Sequence, residues 1–418
     1  MRLIADLHVH SRYSRACSQE MGITTLARWA KIKGVNVLGT GDFTHPLYLA
    51  DLKNKLEMTD GGLLRVKGDR DGLYFIPTVE VSNIYHQAGR LRKIHTLLIV
   101  PDLEVVEKIN LRLRSRGNLS ADGRPTFTFP AKDLVKLALD VSPDCLVVPA
   151  HAWTPWFSVF GSNSGFDSLE ECFEEETENI YAIETGLSSD PAMNWRVSAL
   201  DRIALISDSD AHSPRKIARE ANVFDCAPAY KEIVAAIKSH DPMRFLFTIE
   251  FFPEEGKYHY DGHRKCGVAW SPAETRRHQG LCPVCGAKVT VGVMHRVEAL
   301  ADRENGYILP QAIPAKHLVP LEEILADALR AKPGTKTVER EYERLTGLLG
   351  SELKILLDVE EEGLQKNCQP NVWERILRVR REEVKVEPGY DGVYGKISLA
   401  SAQPVGSPQP QPNQLELL

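Results

Sequence analysis

Asp6-Leu7-His8-Val9-His10 follows directly on the short apolar run Leu3-Ile4-Ala5. The run reads as a buried strand. A strand sends alternate side chains to one face, so Asp6, His8 and His10 point the same way. One carboxylate and two imidazoles converging at a strand end make a donor set for a divalent metal. Taken alone, the stretch is equally a half-buried strand with two satisfied histidines. What tips the balance is that similar groups recur at the ends of later strand-like runs.

Those runs alternate with helix-like segments through residues 1–240. Apolar stretches end in polar groups at 3–8, 35–42, 74–80, 95–100, 146–151, 180–184 and 203–208. Segments of helical period lie between several of them, at 24–33, 47–56, 105–113, 131–140 and 233–239. Strand–helix alternation predicts a parallel sheet, open or closed into a barrel. Asp42, Glu80, His151, Glu184, Asp208, Asp210 and His212 fall, like Asp6, His8 and His10, at or just past the C-terminal end of a run. Barrels of alternating strands and helices gather their active sites there. Doubly wound sheets share the rule with fewer strands. The expectation is an α/β fold built on a distorted, seven-stranded barrel.

A chain of 418 residues has room for more than one domain. A hydrophobic fraction of 43% with 26% charged residues is that of a globular protein in water. No apolar run is long enough to span a bilayer, and the N-terminus enters a strand without a signal pattern. The expected location is therefore the cytoplasm, with no membrane partner. A net charge of -6 argues against a general nucleic-acid binder, although a local basic groove can sit on an acidic protein. Of the 8 cysteines, Cys266, Cys282 and Cys285 cluster with metal spacing, and the scattered rest need no disulfide in a reducing compartment.

Asp42 sits in Gly39-Thr40-Gly41-Asp42-Phe43 and Glu80 in Thr78-Val79-Glu80-Val81-Ser82. His95 opens a run, His151 follows Val148-Pro149-Ala150, and Asp210 and His212 lie in Ser207-Asp208-Ser209-Asp210-Ala211-His212-Ser213-Pro214. Each is weak alone, since a Glu after a strand is usually a solvated end and a His beside Trp153 is often packing. Jointly they call for metal. Mixed imidazole and carboxylate donors suit zinc, with manganese and iron as alternatives. Neighbouring divalent ions bring the pKa of a water toward neutrality and bind a phosphoryl oxygen, so the reaction class is phosphoester hydrolysis. Arg112, Arg114 and Arg116 can lay a cationic edge along a phosphate backbone, or simply end an exposed helix. Asp122-Gly123-Arg124-Pro125 is a turn with a basic side chain, and Arg215, Lys216 and Arg219 follow the Asp210–His212 pair. Trp153, Trp156 and Phe157 can stack a base or pack a core.

From Phe251 the composition changes. His263-x2-Cys266, fifteen residues, then Cys282-Pro283-Val284-Cys285-Gly286 has the spacing of a zinc ribbon, with His259 a rival for His263. Four protein ligands leave no open position, so this metal is structural. Residues 321–331, 338–349 and 372–381 carry amphipathic helical patterns. Pro388-Gly389-Tyr390-Asp391-Gly392-Val393-Tyr394-Gly395 reads either as a hairpin connection or as a probe for a base or ribose.

The order Asp-x-His-x-His, Thr-x-Asp, Glu, His, His, Asp-x-His resembles the polymerase and histidinol phosphatase (PHP) family, whose domain is a distorted seven-stranded β/α barrel. Carried over residue by residue, the resemblance implies a divalent cluster of two or three ions. His8, His10, Glu80 and Asp210 would hold the first and form the catalytic centre. Glu80, His95 and His151 would hold a second, with Glu80 bridging, and Asp42 and His212 a third. Two departures bear on the third site. Many members have Thr-Asp-His where this chain has Thr40-Gly41-Asp42-Phe43, and a His that often follows the first motif has no counterpart in residues 11–16.

With the ribbon and the glycine-tyrosine loop added, residues 1–400 resemble the endonuclease Q family. That resemblance implies nicking of DNA 5′ to a deaminated base (uracil, hypoxanthine or xanthine) or at an abasic site, with a flipped nucleotide beside the metals. Glu184, Ser188, Ser189, Asn194 and Arg196 are then expected at the pocket wall. Trp153, Arg219, Tyr390, Tyr394 and the Arg112–Arg116 run are expected against DNA. The implied division is a PHP barrel over 1–245, a zinc ribbon over 250–300, a helical DNA-recognition region over 301–400 and a disordered tail over 401–418. The terminal Gln414-Leu415-Glu416-Leu417-Leu418 resembles the peptide by which bacterial repair proteins bind the sliding clamp, through Gln414, Leu415, Leu417 and Leu418. Such an enzyme would associate with the nucleoid during repair. A small-molecule phosphatase on the same barrel and a non-catalytic DNA-binding scaffold are the competing functions; a basic groove from metals to ribbon would separate them from the nuclease.

Overall fold

In a computed structural model describing residues 1–399, the opening run forms strand β1 (Arg2–Asp6), buried from Leu3 onward. The expected tail, with its Gln414–Leu418 peptide, lies outside the described residues. β2 (Val37–Gly39), β3 (Leu56–Met58), β4 (Leu64–Val66) and β5 (Tyr74–Ile76) follow, then the long β6 (Thr78–Gln87) and β7 (Arg90–Ile99). Next come β8 (Thr126–Phe127), β9 (Leu146–Pro149), β10 (Ala182–Glu184), β11 (Ala204–Ile206), β12 (Ala221–Asp225) and β13 (Phe245–Glu250). β14 (Asp261–His263), β15 (Val268–Trp270), β16 (Ala315–His317), β17 (Lys385–Glu387) and β18 (Lys396–Ser398) complete the set. Hydrogen bonding gathers an eight-stranded sheet, β16-β13-β12-β1-β2-β5-β4-β3, a four-stranded sheet, β8-β6-β7-β9, and the pairs β10-β11, β14-β15 and β17-β18.

The architecture is mixed α/β, and the expected all-parallel order gives way in both large sheets, β3, β4 and β5 being antiparallel neighbours and β12 running antiparallel to β13. β1 runs parallel to β2 but antiparallel to β12, and β6, β7 and β9 are antiparallel neighbours. In the four-stranded sheet the cause is a long hairpin: β6 and β7 pair from Thr78↔Ile99 to Gln87↔Arg90. Ala88 and Gly89 between them both have positive φ, the twist that a two-residue hairpin turn needs. Its outer half carries His86, Gln87, Arg90, Arg92 and Lys93, so no apolar run betrays it.

Alternate strand residues face one buried apolar cluster, among them Leu3 and Ala5 of β1, Leu97 of β7, Val148 of β9, Ile206 of β11 and Phe245 of β13. Strands from different sheets therefore wall a common interior. A second cluster packs the helices outside and runs on into the C-terminal helices, as far as Leu399. No helix among the described residues is long and apolar enough to cross a membrane.

The eight-stranded sheet reaches past residue 245, because β16 pairs in parallel with β13, Thr248↔Ala315 to Glu250↔His317. His317 ties this edge down. Its Nε2 lies 3.1 Å from Asp190 and its Nδ1 3.0 Å from Glu382. Burial pushes the imidazole pKa down, but the two carboxylates outweigh it and raise it to about 10. A raised histidine stabilises the fold fully below its unfolded pKa of 6.5 and loses that contribution as the pH rises through about 10. His317→Ala is therefore expected to lower Tm by roughly 2–4 °C near neutral pH, and to cost much less above the folded pKa. An equal loss in both thermal melts would contradict this linkage.

Candidate metal centre

Two tripeptides lie side by side at the centre of the site. Val9 forms a parallel bridge with Ala211, and His10 N–H donates to the Ala211 carbonyl at 3.0 Å. His8 and His10 flank Val9 just as Asp210 and His212 flank Ala211. Asp6 and Asp208 lock this arrangement from behind. Leu7 N–H donates to Asp208 at 2.6 Å, and the N–H groups of Ser209 and Ala218 donate to Asp6 at 3.0 and 2.9 Å. Asp6, which shares a strand face with the histidines, thus holds backbone. Burial raises its carboxyl to about 6.

His8, His10 and Asp210 offer ligand atoms that all lie within 4.8 Å of one another. Asp210 Oδ1 is 3.7 Å from His8 Nε2 and 3.0 Å from His10 Nε2, yet all three atoms are buried without a hydrogen bond. The far side of each ring is occupied. His8 Nδ1–H donates to Glu184 at 2.9 Å, and His10 Nδ1–H to Asp42 at 3.1 Å. A carboxylate can only accept, so each ring is held by its Nδ1–H with Nε2 turned inward. Burial alone would lower both imidazoles, but Glu184 and Asp42 raise them well above the usual histidine range.

Glu80, His95 and His151 form a second group, again within 4.8 Å. Glu80 on β6 faces Leu97 on β7, and His95 lies two residues from Leu97, hence on the same face. Glu80 Oε1 is 2.6 Å from His95 Nδ1 and 3.0 Å from His151 Nε2, while Oε2 lies 3.3 Å from His10 Nε2. Glu80 therefore touches both groups. Burial pushes its carboxyl up, but His95, Arg124 and the hydrogen bonds from His10 and His151 hold it well below the usual range. Burial brings His95 down to about 4. Ser158 orients His151: its hydroxyl donates to the His151 carbonyl at 2.7 Å and so accepts from Nδ1 at 3.0 Å.

Backbone strain accompanies the geometry. His151 and Asp210 have φ of 31° and 46°, as does Asp42 at 45°, in a region that side-chain-bearing residues rarely enter. Gly186 makes room for one of these: a Cβ there would meet His151 Cβ at 2.7 Å.

Other expected site residues stand outside these two groups. Asp42 belongs to neither group. Besides His10, its carboxylate accepts from Ser11 N–H and Oγ, both at 2.6 Å, and from Ser14 Oγ at 2.9 Å. His212 also lies outside both groups and packs its ring 4.5 Å from that of His10. Glu184 is engaged by His8 and by His151 N–H. Trp153 is buried, donates to Asn194 Oδ1 at 2.7 Å and packs on Phe160, so neither Trp153 nor Asn194 is open to a ligand. Ser189 donates to the Thr185 carbonyl, and the Arg196 carbonyl receives Asp302 and Arg303 N–H. Arg112 and Arg116 line a separate depression with Asp133, Lys136 and Asp140, and Arg114 is exposed beside them.

Beside the metal-ligand groups lies a cavity of about 590 Å³. His151, Glu184, Asp210 and His212 form one wall, and Gly256, Lys257, Tyr258 and Tyr394 another. Ser188, Lys216, Arg219 and Phe251 line it as well. Arg219 Nε donates to the Ser209 carbonyl at 2.9 Å. Tyr390 packs instead against Gly262, so the two tyrosines of that loop have different work. Lys257, Tyr258 and Phe251 escaped the sequence reading: Phe251 directly follows β13, Lys257 and Tyr258 reach the cavity from the segment beyond it, and nothing local marks any of them.

The ribbon brings His263, Cys266, Cys282 and Cys285 together within 4.8 Å, with His263 Nδ1 3.5 Å from Cys285 Sγ. His259 stands apart, buried against Tyr260. Burial would raise the Cys282 thiol, but the N–H groups of Val284 and Cys285 and the His263 ring bring it down to about 6. That is the thiolate character a metal ligand needs.

Comparison with known proteins matches a family model described as the MJ0043 C-terminal domain to residues 320–383. The uncharacterized protein MJ0043 of Methanocaldococcus jannaschii is 30% identical over 258 residues, which are 60% of this chain and 31% of that one. The uncharacterized protein YqxK of Bacillus subtilis is 28% identical over 413 residues, 95% of this chain and 99% of that one. The chain thus spans under a third of the archaeal relative and nearly all of the bacterial one. Among solved structures, the lesion-specific endonuclease PfuEndoQ from Pyrococcus furiosus superposes with a TM-score of 0.85 at 31% identity, over 95% of each chain. Endonuclease Q in complex with a 27-mer duplex substrate, an abasic lesion at its active site, gives 0.84 at 31% identity over 96% of this chain and 97% of that one.

Proposed function

The chain belongs to the endonuclease Q family, and from that premise we propose that it is a metal-dependent DNA repair endonuclease. It cuts the phosphodiester 5′ to a deaminated base (uracil, hypoxanthine or xanthine) or at an abasic site. The observation that carries the reading is a single cavity. Two three-ligand groups, joined by the contact of Glu80 with His10, reach through Asp210 and His151 into a cavity also lined by Lys257, Tyr258 and Tyr394.

The donors fit divalent ions. His8 Nε2, His10 Nε2 and Asp210 Oδ1 are buried, converge, and have no hydrogen bond of their own. Such a set costs free energy unless a cation fills it. We assign His8, His10, Glu80 and Asp210 to one ion and Glu80, His95 and His151 to a second, zinc first among candidates with manganese or iron as alternatives. Divalent ions here supply Lewis acidity to a phosphoryl oxygen and bring the pKa of a water toward neutrality. The scaffold we read as a distorted PHP barrel, with a structural zinc in the ribbon.

The protein's own groups do the rest. Glu184 and Asp42 keep the two imidazoles turned toward the cluster. Lys216, Arg219 and Lys257 put positive charge around the cavity for the phosphates beside the cut. Phe251, Tyr258 and Tyr394 offer apolar and aromatic surface to a nucleotide turned out of the duplex.

The test is nicking of labelled duplexes that differ at one position: uracil, hypoxanthine, an abasic site or the undamaged parent. Cleavage 5′ to the altered position alone, abolished by a chelator and restored by added metal, is the expected result. Brisk metal-dependent hydrolysis of a small phosphate ester with every duplex left intact would move the function to a phosphatase.

A further inference from the structure

Arg124 stands over the shared carboxylate. Its Nη1 donates to Glu80 Oε2 at 3.0 Å, where the two ligand groups meet. Among the described residues its other guanidinium nitrogens make no hydrogen bond to protein, and a quarter of the side chain (25%) is open to solvent. The backbone beneath it is pinned. Arg124 N–H donates to Asp122 Oδ1 at 3.1 Å, Gly123 N–H to the Tyr13 carbonyl at 2.9 Å, and Thr44 Oγ1 to the Gly123 carbonyl at 3.2 Å. Gly123 itself sits so close to the site that a Cβ would meet Asp42 Oδ2 at 2.4 Å and Ser14 Oγ at 2.6 Å. A loop pressed this tightly onto the ligand shell delivers its next side chain to one place.

A purely structural arginine uses its fork up on protein acceptors, as Arg380 does on the carbonyls of Ile355, Leu356 and Val359. Arg124 instead makes one contact, to the carboxylate assigned to both ions, and keeps donors free at the same spot. From this geometry we propose that Arg124 is a substrate-contacting residue, whose free guanidinium nitrogens bind a non-bridging oxygen of the phosphate undergoing hydrolysis. The proposal deepens the metal-dependent phosphoesterase reading and rests on it. A planar guanidinium suits the task because two of its N–H groups can meet phosphate oxygens together, which an ammonium matches only as a point charge.

Arg124→Ala and Arg124→Lys separate contact from support. Each variant and the wild type would be titrated with Mn2+, and the loaded proteins then titrated with inorganic phosphate by calorimetry. Mn2+ binding is expected to stay at wild-type strength or tighten in both variants. Phosphate binding should weaken about 10-fold or more in Arg124→Ala, the loss of one charge-assisted contact, with partial recovery in Arg124→Lys. Single-turnover nicking of an abasic-site duplex should fall about 100-fold in Arg124→Ala. Weakened Mn2+ binding would make Arg124 a support for Glu80 and overturn the proposal, as would unchanged phosphate binding. A wild type that binds Mn2+ and phosphate but nicks no duplex would defeat the DNA reading while leaving the Arg124 assignment standing. No Mn2+ uptake by the wild type would overturn both.

Discussion

Glu80→Gln is expected to lower single-turnover nicking by about four orders of magnitude, the several kcal/mol of charge stabilisation that a divalent pair supplies. The substitution keeps the shape of the side chain and removes its charge. The wild-type carboxylate is 1% exposed and meets His95 and His151 through one oxygen and His10 and Arg124 through the other. Glu184 also meets both groups, but only behind the His8 ring and at the His151 backbone N–H, so it cannot take over the shared position. An amide would also turn N–H donors toward a guanidinium or toward imidazole nitrogens that need a negative partner. Metal content measured by mass spectrometry should fall with activity, while circular dichroism stays that of the wild type. A variant that keeps its metals and cuts within about a hundredfold of the wild type would sink the shared-ligand assignment.

Why that site could be anticipated, and the rest of the cavity could not, follows from what each residue must do. His8, His10, Glu80, His95, His151 and Asp210 belong to the few residue types able to hold a divalent ion, so their recurrence along the chain is visible without coordinates. Asp42 and Glu184 are chemically as eligible, and spacing does not say that they stand behind the rings of His10 and His8. That depends on which side of the ring the backbone presents. Trp153 reads as a base-stacking aromatic and Asn194 as a wall residue because they neighbour the motifs in sequence, but they bond each other in the core. Arg112, Arg114 and Arg116 form a basic run that spacing alone cannot place, and Arg112 and Arg116 line a depression apart from the metal-ligand groups. In the fold, local alternation reveals β1 and β2, whereas β12, β13 and β16 join the sheet through partners far away in the chain. Such pairings leave no periodic trace. The β6–β7 hairpin is hidden for a different reason, its charged outer half.

Cys282→Ser should cost the protein its hold on DNA and spare the hydrolytic chemistry, because of what the ribbon carries on its base. The ribbon's own apolar cluster is Val268, Cys282 and Val289, with Cys266 and Trp270 packed against it. So small a core cannot hold a fold by burial alone, and a metal held by His263, Cys266, Cys282 and Cys285, as proposed, would supply the difference. Cys282 is the ligand drawn furthest toward thiolate, so serine at that position removes the strongest donor. The damage travels by hydrogen bonds. Thr290 Oγ1 and Arg264 N–H both donate to Asp391, at 2.7 and 2.6 Å, and Gly392 N–H donates to the Lys257 carbonyl at 2.9 Å. Lys257, Tyr258 and Tyr394, one wall of the cavity, are thereby fixed by an intact ribbon. Loss of that wall removes a cation and two aromatic surfaces, each stacked base being worth about 1–3 kcal/mol, so duplex affinity should drop about 100-fold by fluorescence anisotropy. The ligand groups around Glu80 come from β6, β7 and the segments that follow β1, β9 and β11, and share no residue with the His263, Cys266, Cys282 and Cys285 set. Metal-dependent hydrolysis of bis(p-nitrophenyl) phosphate should therefore persist in Cys282→Ser at near the wild-type rate. A variant that binds lesion duplex as tightly as the wild type, despite one bound metal fewer per chain, would show that the ribbon does not hold the nucleotide wall.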